Sequence, residues 1–239
     1  MKKHYKRVLT IAGSDPSGGA GIQADLKTFS ACGCYGMSAI VAVVDENTVG
    51  VTGVHPVPVD FVTGQIRSVL DDIGADAVKI GMLHSSELIR AVRETLAAYD
   101  IRNIVLDPVM VATSGDRLLQ EEAIATLQEE LVPFVRVITP NIPEAEILLG
   151  RKIAGQEELP QVARELSFGR KVSVLLKAGH LHDTQIAVGA DYIVNLLGFL
   201  LSCFLLRGNT GRIRLGRGGV SHLSRGGRSR CFAGYRLLD

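Results

Sequence analysis

The chain is poor in cysteine, nearly free of net charge, and without an apolar stretch long enough to cross a bilayer. Four cysteines in 239 residues are too few and too scattered for a disulfide scaffold. The formal net charge of +1, from 26 Lys and Arg against 25 Asp and Glu, argues against a general polyanion-binding surface. The apolar run from Tyr192 to Leu206 falls short of the roughly 20 residues a spanning helix needs. The N-terminus MKKHYKR leads straight into a strand-like run, without the apolar segment and cleavage site of a secretory signal. A cytoplasmic protein with no membrane and no nucleic-acid partner is expected. A chain of 239 residues favours one domain. Cys32 and Cys34 form a CxC pair with no second pair nearby, and are read as reduced thiols in a packed corner. His180, His182 and Asp183 invite a metal reading, but no third ligand stands at a motif spacing.

What the chain does have is a glycine-rich turn between an apolar run and a helical pattern, in VLTIAGSDPSGGAGIQADLKTF from Val8 to Phe29. Val8 to Ala12 suits a buried strand, and Ile22, Leu26 and Phe29 recur at helical spacing. Gly13, Gly18, Gly19 and Gly21 free the backbone between them, so the loop can approach a ligand closely. A Walker A loop is excluded, because Gly21 is followed by Ile22 and Gln23 rather than by Lys and Ser or Thr. A dinucleotide fingerprint is a closer match: Gly19, Gly21 and Ala24 satisfy GxGxxA, and Asp45 stands near the expected acidic position. Against it, Gly13 to Gly18 separate the motif from its strand.

Apolar strand-like runs alternate with helical patterns along most of the chain, the mark of a parallel sheet covered on both faces. After Val8 to Ala12 the expected strands are Ala39 to Val44, Ala77 to Ile80, Ile104 to Leu106, Val135 to Ile138 and Val172 to Leu176. Ile89, Val92 and Leu96 follow the capping candidates Ser85 and Ser86; Ile124, Leu127 and Leu131 follow Glu121. Pro143 suits a first helical turn, and Gly150 ends that helix. Polar residues stand just past the strands: Gly13, then Asp45 and Glu46, Gly81 and Met82, Asp107, Asn141 with Glu144, and Lys177. Open α/β sheets bind ligands at this edge. Carboxylates, an amide and a lysine gathered there suit Mg²⁺ and phosphates, the oxygens holding the metal and its waters and the lysine acting as a point charge. Taken singly, Asp107 before Pro108 is also an ordinary turn initiator, and Asn141 to Glu144 an ordinary helix start.

The motif AGSDPSGGAGIQADLKTFSACGCYG, followed by ENTVGV, KIGML, VLDPVMVATSG, TPNIPEAEILLG and VLLKAGH, resembles the hydroxymethylpyrimidine/phosphomethylpyrimidine kinases of the ribokinase-like superfamily, which also holds pyridoxal kinases. The likeness covers roughly the first three quarters of the chain. It implies a three-layer α/β/α fold around a mostly parallel sheet. It also implies ATP-dependent phosphorylation of 4-amino-5-hydroxymethyl-2-methylpyrimidine and of its monophosphate in thiamine biosynthesis. A pyridoxal-type substrate is the alternative, and a homodimer is an assembly the resemblance allows. Carried over position by position, Gly13, Asp25, Glu46, Met82 and Val109 line the pyrimidine pocket. Asp107, Asn141, Glu144 and Lys177 serve ATP, with Asp107 and Glu144 organising Mg²⁺. Thr113 and Ser114 stand on a loop that closes over substrate. The chain departs from the family at DENT, where a glutamine is usual in AQNT: a neutral amide both donates and accepts, whereas an ionised Glu46 only accepts.

From about Asp191 the composition changes, first strongly apolar and then rich in arginine and glycine. Residues 1–239 are expected to form a single kinase domain, with 191–239 atypical. The resemblance calls here for an NTHGTGC-like segment whose glycines form an anion hole. The chain offers Asn209, Thr210 and Gly211 and then Arg212, and Cys231 lies in no such context, so no catalytic residue is assigned. The Arg-Gly-Gly repeats at 217–219 and 225–227 resemble nucleic-acid-binding low complexity. A shift of reading frame near Asp191, leaving a foreign and disordered tail, is the preferred expectation. Loss of the anion hole would leave a protein that binds pyrimidine or nucleotide without turnover.

Overall fold

The computed structural model describes residues 4–110, 119, 121–169 and 171–177, with the backbone of four short strands between 214 and 238. Among the described residues, eight strands and six α-helices precede residue 178. They are β1 (Lys6–Ala12), α1 (Gly21–Ala31), β2 (Cys34–Ile40), β3 (Ala42–Glu46), β4 (Val51–Pro56), α2 (Val59–Asp72) and β5 (Ala77–Ile80). Then come α3 (Ser86–Ala97), β6 (Ile104–Leu106), α4 (Glu121–Thr126), β7 (Val137–Ile138), α5 (Ile142–Leu149), α6 (Leu159–Leu166) and β8 (Ser173–Val174). Six strands form one parallel sheet in the order β2-β1-β5-β6-β7-β8. The chain steps from β1 to β2 in one direction and afterwards only in the other, so the order reverses between β1 and β5, where such sheets leave a crevice at their carboxyl ends.

Side-chain alternation divides the sheet into two apolar faces. Leu9 and Ile11 of β1 and Val78 and Ile80 of β5 join a large core with Val62 and Ile66 of α2, Leu88 and Val92 of α3, and Leu148 and Val162 of α5 and α6. Val8 and Ala77 point the other way and pack on Phe29 of α1. Thr10 and Lys79, two residues further along the same strands, share that second face with α1. This is the expected α/β/α layering, with apolar strands buried on both sides.

The helix ends follow their sequence signals. Ser85, not Ser86, caps α3 by accepting from Leu88 N–H. Asn141 and Glu144 form a reciprocal capping box on α5, Pro143 lies in its first turn, and Gly150 ends it at φ 66°. The helix expected through Ile124, Leu127 and Leu131 stops at Thr126 and widens into a π-turn over Leu127–Leu131, then a 3₁₀ turn over Val132–Phe134. Pro133, which cannot donate to a helical ladder, lies in that last turn.

One expected strand is two. The run Ala39 to Val44 crosses from β2 into β3, which pairs with β4 in a separate antiparallel hairpin. At the break the chain is held from α2. β1 ends opposite Ile40, whose N–H and C=O are both taken by the side-chain amide of Gln65 at 3.0 Å. The strands expected over Val135 to Ile138 and Val172 to Leu176 shorten to Val137–Ile138 and Ser173–Val174, but the ladder continues as single bonds from Leu175 N–H to Ile138 O and from Lys177 N–H to Pro140 O.

Two glycines with positive φ separate strain from contact. Gly150→Ala meets open space and is expected to lose about 1 kcal/mol of unfolding free energy from the left-handed backbone alone. Gly21, at φ 55°, would place a Cβ 2.5 Å from the carbonyl oxygen of Gly13. Gly21→Ala should therefore lose clearly more in urea denaturation, and equal losses at the two positions would refute the tight crossing of Gly13 and Gly21.

Candidate active site at the carboxyl ends of the strands

Parallel register places the second face's polar residues side by side. Lys79 pairs with Val105 and Val105 with Val137, so the positions two residues on, Gly81, Asp107 and Thr139, line up along the edge. Lys177 follows on the outer strand through its bridge to Asn141. The sheet therefore gathers Asp107, Asn141 and Lys177, with Glu144 supplied by the first turn of α5.

Lys177 Nζ lies 2.8 Å from Asp107 Oδ1 and 3.8 Å from Glu144 Oε2. The same Asp107 oxygen accepts from Thr139 Oγ1 at 3.0 Å. Glu144 Oε2 accepts from Asn141 N–H at 2.8 Å, and Glu144 N–H donates to Asn141 Oδ1 at 2.8 Å. The Glu144 carboxyl is pushed up to about 7, because burial outweighs the attraction of Lys177 and Asp107 adds repulsion. All four expected nucleotide-site residues are thus brought together. Two carboxylates beside a lysine fit Mg²⁺, which takes one or two protein carboxylates and completes its shell with water and phosphate oxygens. Among the described residues no group of three His, Cys, Asp or Glu side chains forms a protein-only metal cage.

At the other end, between β1 and β5, the expected pocket residues occupy different depths. A Cβ on Gly13 would stand 3.1 Å from Met82 Cε, so these two are neighbours, and Val44 of the hairpin lies beside them. Met82 belongs to the main core and Val109 packs against it. Glu46, half-buried at the end of β3, has its carboxyl raised first by burial and then by the repulsion of Asp15. Asp25 lies deeper, beneath the strand ends: its Oδ2 accepts from Thr10 Oγ1 at 2.6 Å and pairs with Lys79 Nζ at 2.8 Å.

The glycine loop is not an open anion cradle. Asp15 folds back into it and accepts from Ser17 N–H at 2.7 Å, Ser17 Oγ at 3.0 Å, Gly19 N–H at 2.9 Å and Ala20 N–H at 2.6 Å. The amides that a dinucleotide fingerprint would offer to a pyrophosphate are therefore held by the chain's own carboxylate, and Asp45 stands exposed on the β3–β4 hairpin. The dinucleotide reading fails on this geometry.

Sequence reasoning gave no role to Thr10, Lys79, Thr139 or Asp15. A lysine in the otherwise apolar strand AVKI was the available signal, since a fully buried strand admits a charge only with a partner. Thr113 and Ser114, the His180 to Asp183 segment, and the side chains from Asp191 onward, Asn209, Thr210, Gly211 and Cys231 among them, lie outside the described residues.

A mostly parallel sheet with an acidic, lysine-bearing cluster at its carboxyl edge is the layout of an α/β protein that binds ligands at its strand ends. The family profile of phosphomethylpyrimidine kinase matches residues 15–199, and the chain belongs to that family. It is 53% identical over 178 residues to the hydroxymethylpyrimidine/phosphomethylpyrimidine kinase of Escherichia coli, covering 74% of this chain and 67% of that protein. It is 49% identical over 174 residues to the thiamine biosynthesis bifunctional protein ThiED of Geobacter sulfurreducens, covering 73% of this chain and 36% of that longer protein. The crystal structure of a phosphomethylpyrimidine kinase from Clostridium difficile superposes with a TM-score of 0.70 at 38% identity, over 85% of this chain and 98% of that one.

The self-capped loop can be tested by unfolding. Burial raises the Asp15 carboxyl, but the bonds from Ser17, Ala20 and Gly19 together outweigh it and leave it below the usual carboxylate value. Its contribution is therefore complete above that usual value and is lost as pH falls through the lowered one. Asp15→Asn should be less stable than the parent protein by about 2 kcal/mol at pH 7. The gap should close on acidification, and a gap independent of pH would refute the role.

Proposed function

We propose that the protein transfers the γ-phosphoryl group of ATP to the hydroxyl of 4-amino-5-hydroxymethyl-2-methylpyrimidine, and a second phosphoryl group to the resulting monophosphate, as a step of thiamine biosynthesis. The observation that carries this reading is the Asp107–Lys177–Glu144 cluster at the carboxyl edge of the sheet, in a chain of this kinase family. In this reading Gly13, Met82 and Val109 bound a flat heteroaromatic ring, Glu46 faces its polar edge, and Asp25 supports the pocket from below. Lys177 neutralises phosphate, Asn141 orients it, and Asp107 and Glu144 hold Mg²⁺ with its waters. When bound, that metal would neutralise charge on the phosphates. The alcohol oxygen attacks the γ-phosphorus in line as the bond to the bridging oxygen of ADP breaks and the alcohol proton passes to solvent, and in the second transfer a phosphate oxygen of the monophosphate attacks likewise, so the site's task is positioning and charge compensation.

ADP release with Mg-ATP and hydroxymethylpyrimidine, with pyridoxal as a comparison alcohol, tests the reading. Lys177→Ala should lower turnover by about a hundredfold or more. Parent protein that releases ADP only with pyridoxal, or equally well without Lys177, would overturn the assignment.

Glu46 gives a second test. Raised by burial and by Asp15, its carboxyl is protonated at low pH and can then donate as a glutamine does; as pH rises through its raised pKa that donor is lost. kcat/KM for the pyrimidine should fall over that limb in the parent protein and stay flat in Glu46→Gln. Superimposable profiles would remove Glu46 from the pocket.

A binding-only protein is the second reading, favoured by one observation: no NTHGTGC-like segment follows Asp191, where Asn209, Thr210 and Gly211 run into Arg212. Stoichiometric pyrimidine binding without ADP release is its signature. We attribute the missing segment to a shift of reading frame near Asp191. The change of composition there supports this. A GTGC-like segment in another frame of the coding DNA is the expected finding, and its absence would refute the shift.

A further inference from the structure

Lys79 is the charge that neither half of the proposed site uses directly. It sits in the middle of β5, a strand whose four residues are all buried, and its ammonium is 2.8 Å from Asp25 Oδ2. Thr10 Oγ1 donates to the same oxygen at 2.6 Å, so Asp25 is held from the β1 side as well. The ammonium also lies directly under the strand-end turn, since a Cβ on Gly81 would stand 3.2 Å from Nζ. Gly81 is in register with Asp107, because Ile80 pairs with Leu106.

We propose that Lys79 is a positioning residue for both halves of the site, its ammonium clamping Asp25 beneath the pyrimidine pocket while supplying a fixed positive charge to Asp107 at the phosphate end. This inference rests on the pyrimidine-kinase reading for the identity of the two halves, and on geometry for the bridge between them. Burial opposes the charged form of Lys79, but the attraction of Asp25 and Asp107 overcomes it, and the ammonium is retained. A lysine that merely neutralised Asp25 would need no second carboxylate. Here the signs alternate across the face: Asp25 negative, Lys79 positive, Asp107 negative, Lys177 positive. Lys79 therefore sets how negative the Asp107 end is before any ligand arrives. That potential governs the balance between attracting a divalent cation and attracting a phosphate chain.

The consequence has a sign that a structural role lacks. Removing the ammonium makes the phosphate end more negative, so a cation should bind more tightly and an anion less tightly. Damage to the fold weakens both. One unit charge acting over several ångströms in a partly screened interior corresponds to about a tenfold change in a dissociation constant.

The experiment uses the full chain and measures binding of Mn²⁺ alone by electron paramagnetic resonance and of ADP alone by calorimetry, for the parent protein and Lys79→Met. The expected result is about tenfold tighter Mn²⁺ and about tenfold weaker ADP. Where Lys79→Met does not fold, Lys79→Met with Asp25→Asn replaces the buried pair by neutral groups of similar shape; the opposed shifts should persist at reduced size. Asp25→Asn alone should weaken pyrimidine binding and shift Mn²⁺ and ADP less than Lys79→Met does, each in the opposite direction. Shifts of the same sign for both ligands, or none in either variant, overturn the proposal. Turnover of hydroxymethylpyrimidine by the parent protein is read separately. Opposed shifts without that turnover leave the bridge standing and remove the kinase reading; turnover without opposed shifts does the reverse.

Discussion

The contact between Lys177 and Asp107 holds the carboxyl edge of the sheet together, because it joins β6 to the outermost described strand across β7. Each of these charges is nearly buried, and a buried ion loses several kcal/mol of hydration unless it is paired. The pairing extends in both directions. Lys177 approaches Glu144, Asp107 takes the Thr139 hydroxyl and feels Lys79, and Lys79 grips Asp25. Three carboxylates and two lysines thus form an alternating row with one negative charge in excess when Glu144 is ionised. Burial of Glu144 raises its carboxyl and so weakens that excess.

Such a row is a poor device for stability, since an apolar core of the same volume avoids the desolvation. Its value lies in responding to a ligand. In the proposed function, phosphate oxygens and a divalent cation would bring both signs to a surface already arranged in both signs. The glycine loop shows the opposite strategy. There the backbone donors that could bind an anion are satisfied internally by Asp15, which leaves the loop rigid and its anion-binding capacity spent. The Lys177–Asp107–Glu144 cluster lies at the β6–β8 end, whereas the β1–β5 end combines the apolar contact of Gly13 and Met82 with the charges of Glu46 and the Asp25–Lys79 pair.

Much of this was legible in the sequence, for physical reasons that can be stated residue by residue. AVKI and IVL are short apolar runs bounded by polar residues, and β5 and β6 coincide with them. The start and end of α5 were legible because Asn141, Pro143, Glu144 and Gly150 each act within one turn of their own position. The break between β2 and β3 was not, since both sides of Val41 are apolar and the cause is Gln65, a residue 25 positions from Ile40. Thr10, Lys79 and Thr139 were passed over for a related reason. Periodicity weighs apolar positions, so a polar residue inside a strand carries no meaning until the sheet order says what stands opposite it.

Asn141 and Glu144 show why a local reading and a functional one need not compete. The cap fixes Glu144 through Oε2, which accepts from Asn141 N–H and is the same oxygen that faces Lys177. The carboxylate is therefore oriented by the start of α5 rather than by any ligand, and it keeps that orientation in the free protein. Preorganisation of this kind spares the site the entropy of ordering a long acidic side chain on binding. It also sets a limit. A cation drawn to Glu144 must compete with backbone amides, since Met110 N–H as well as Asn141 N–H bonds this carboxyl.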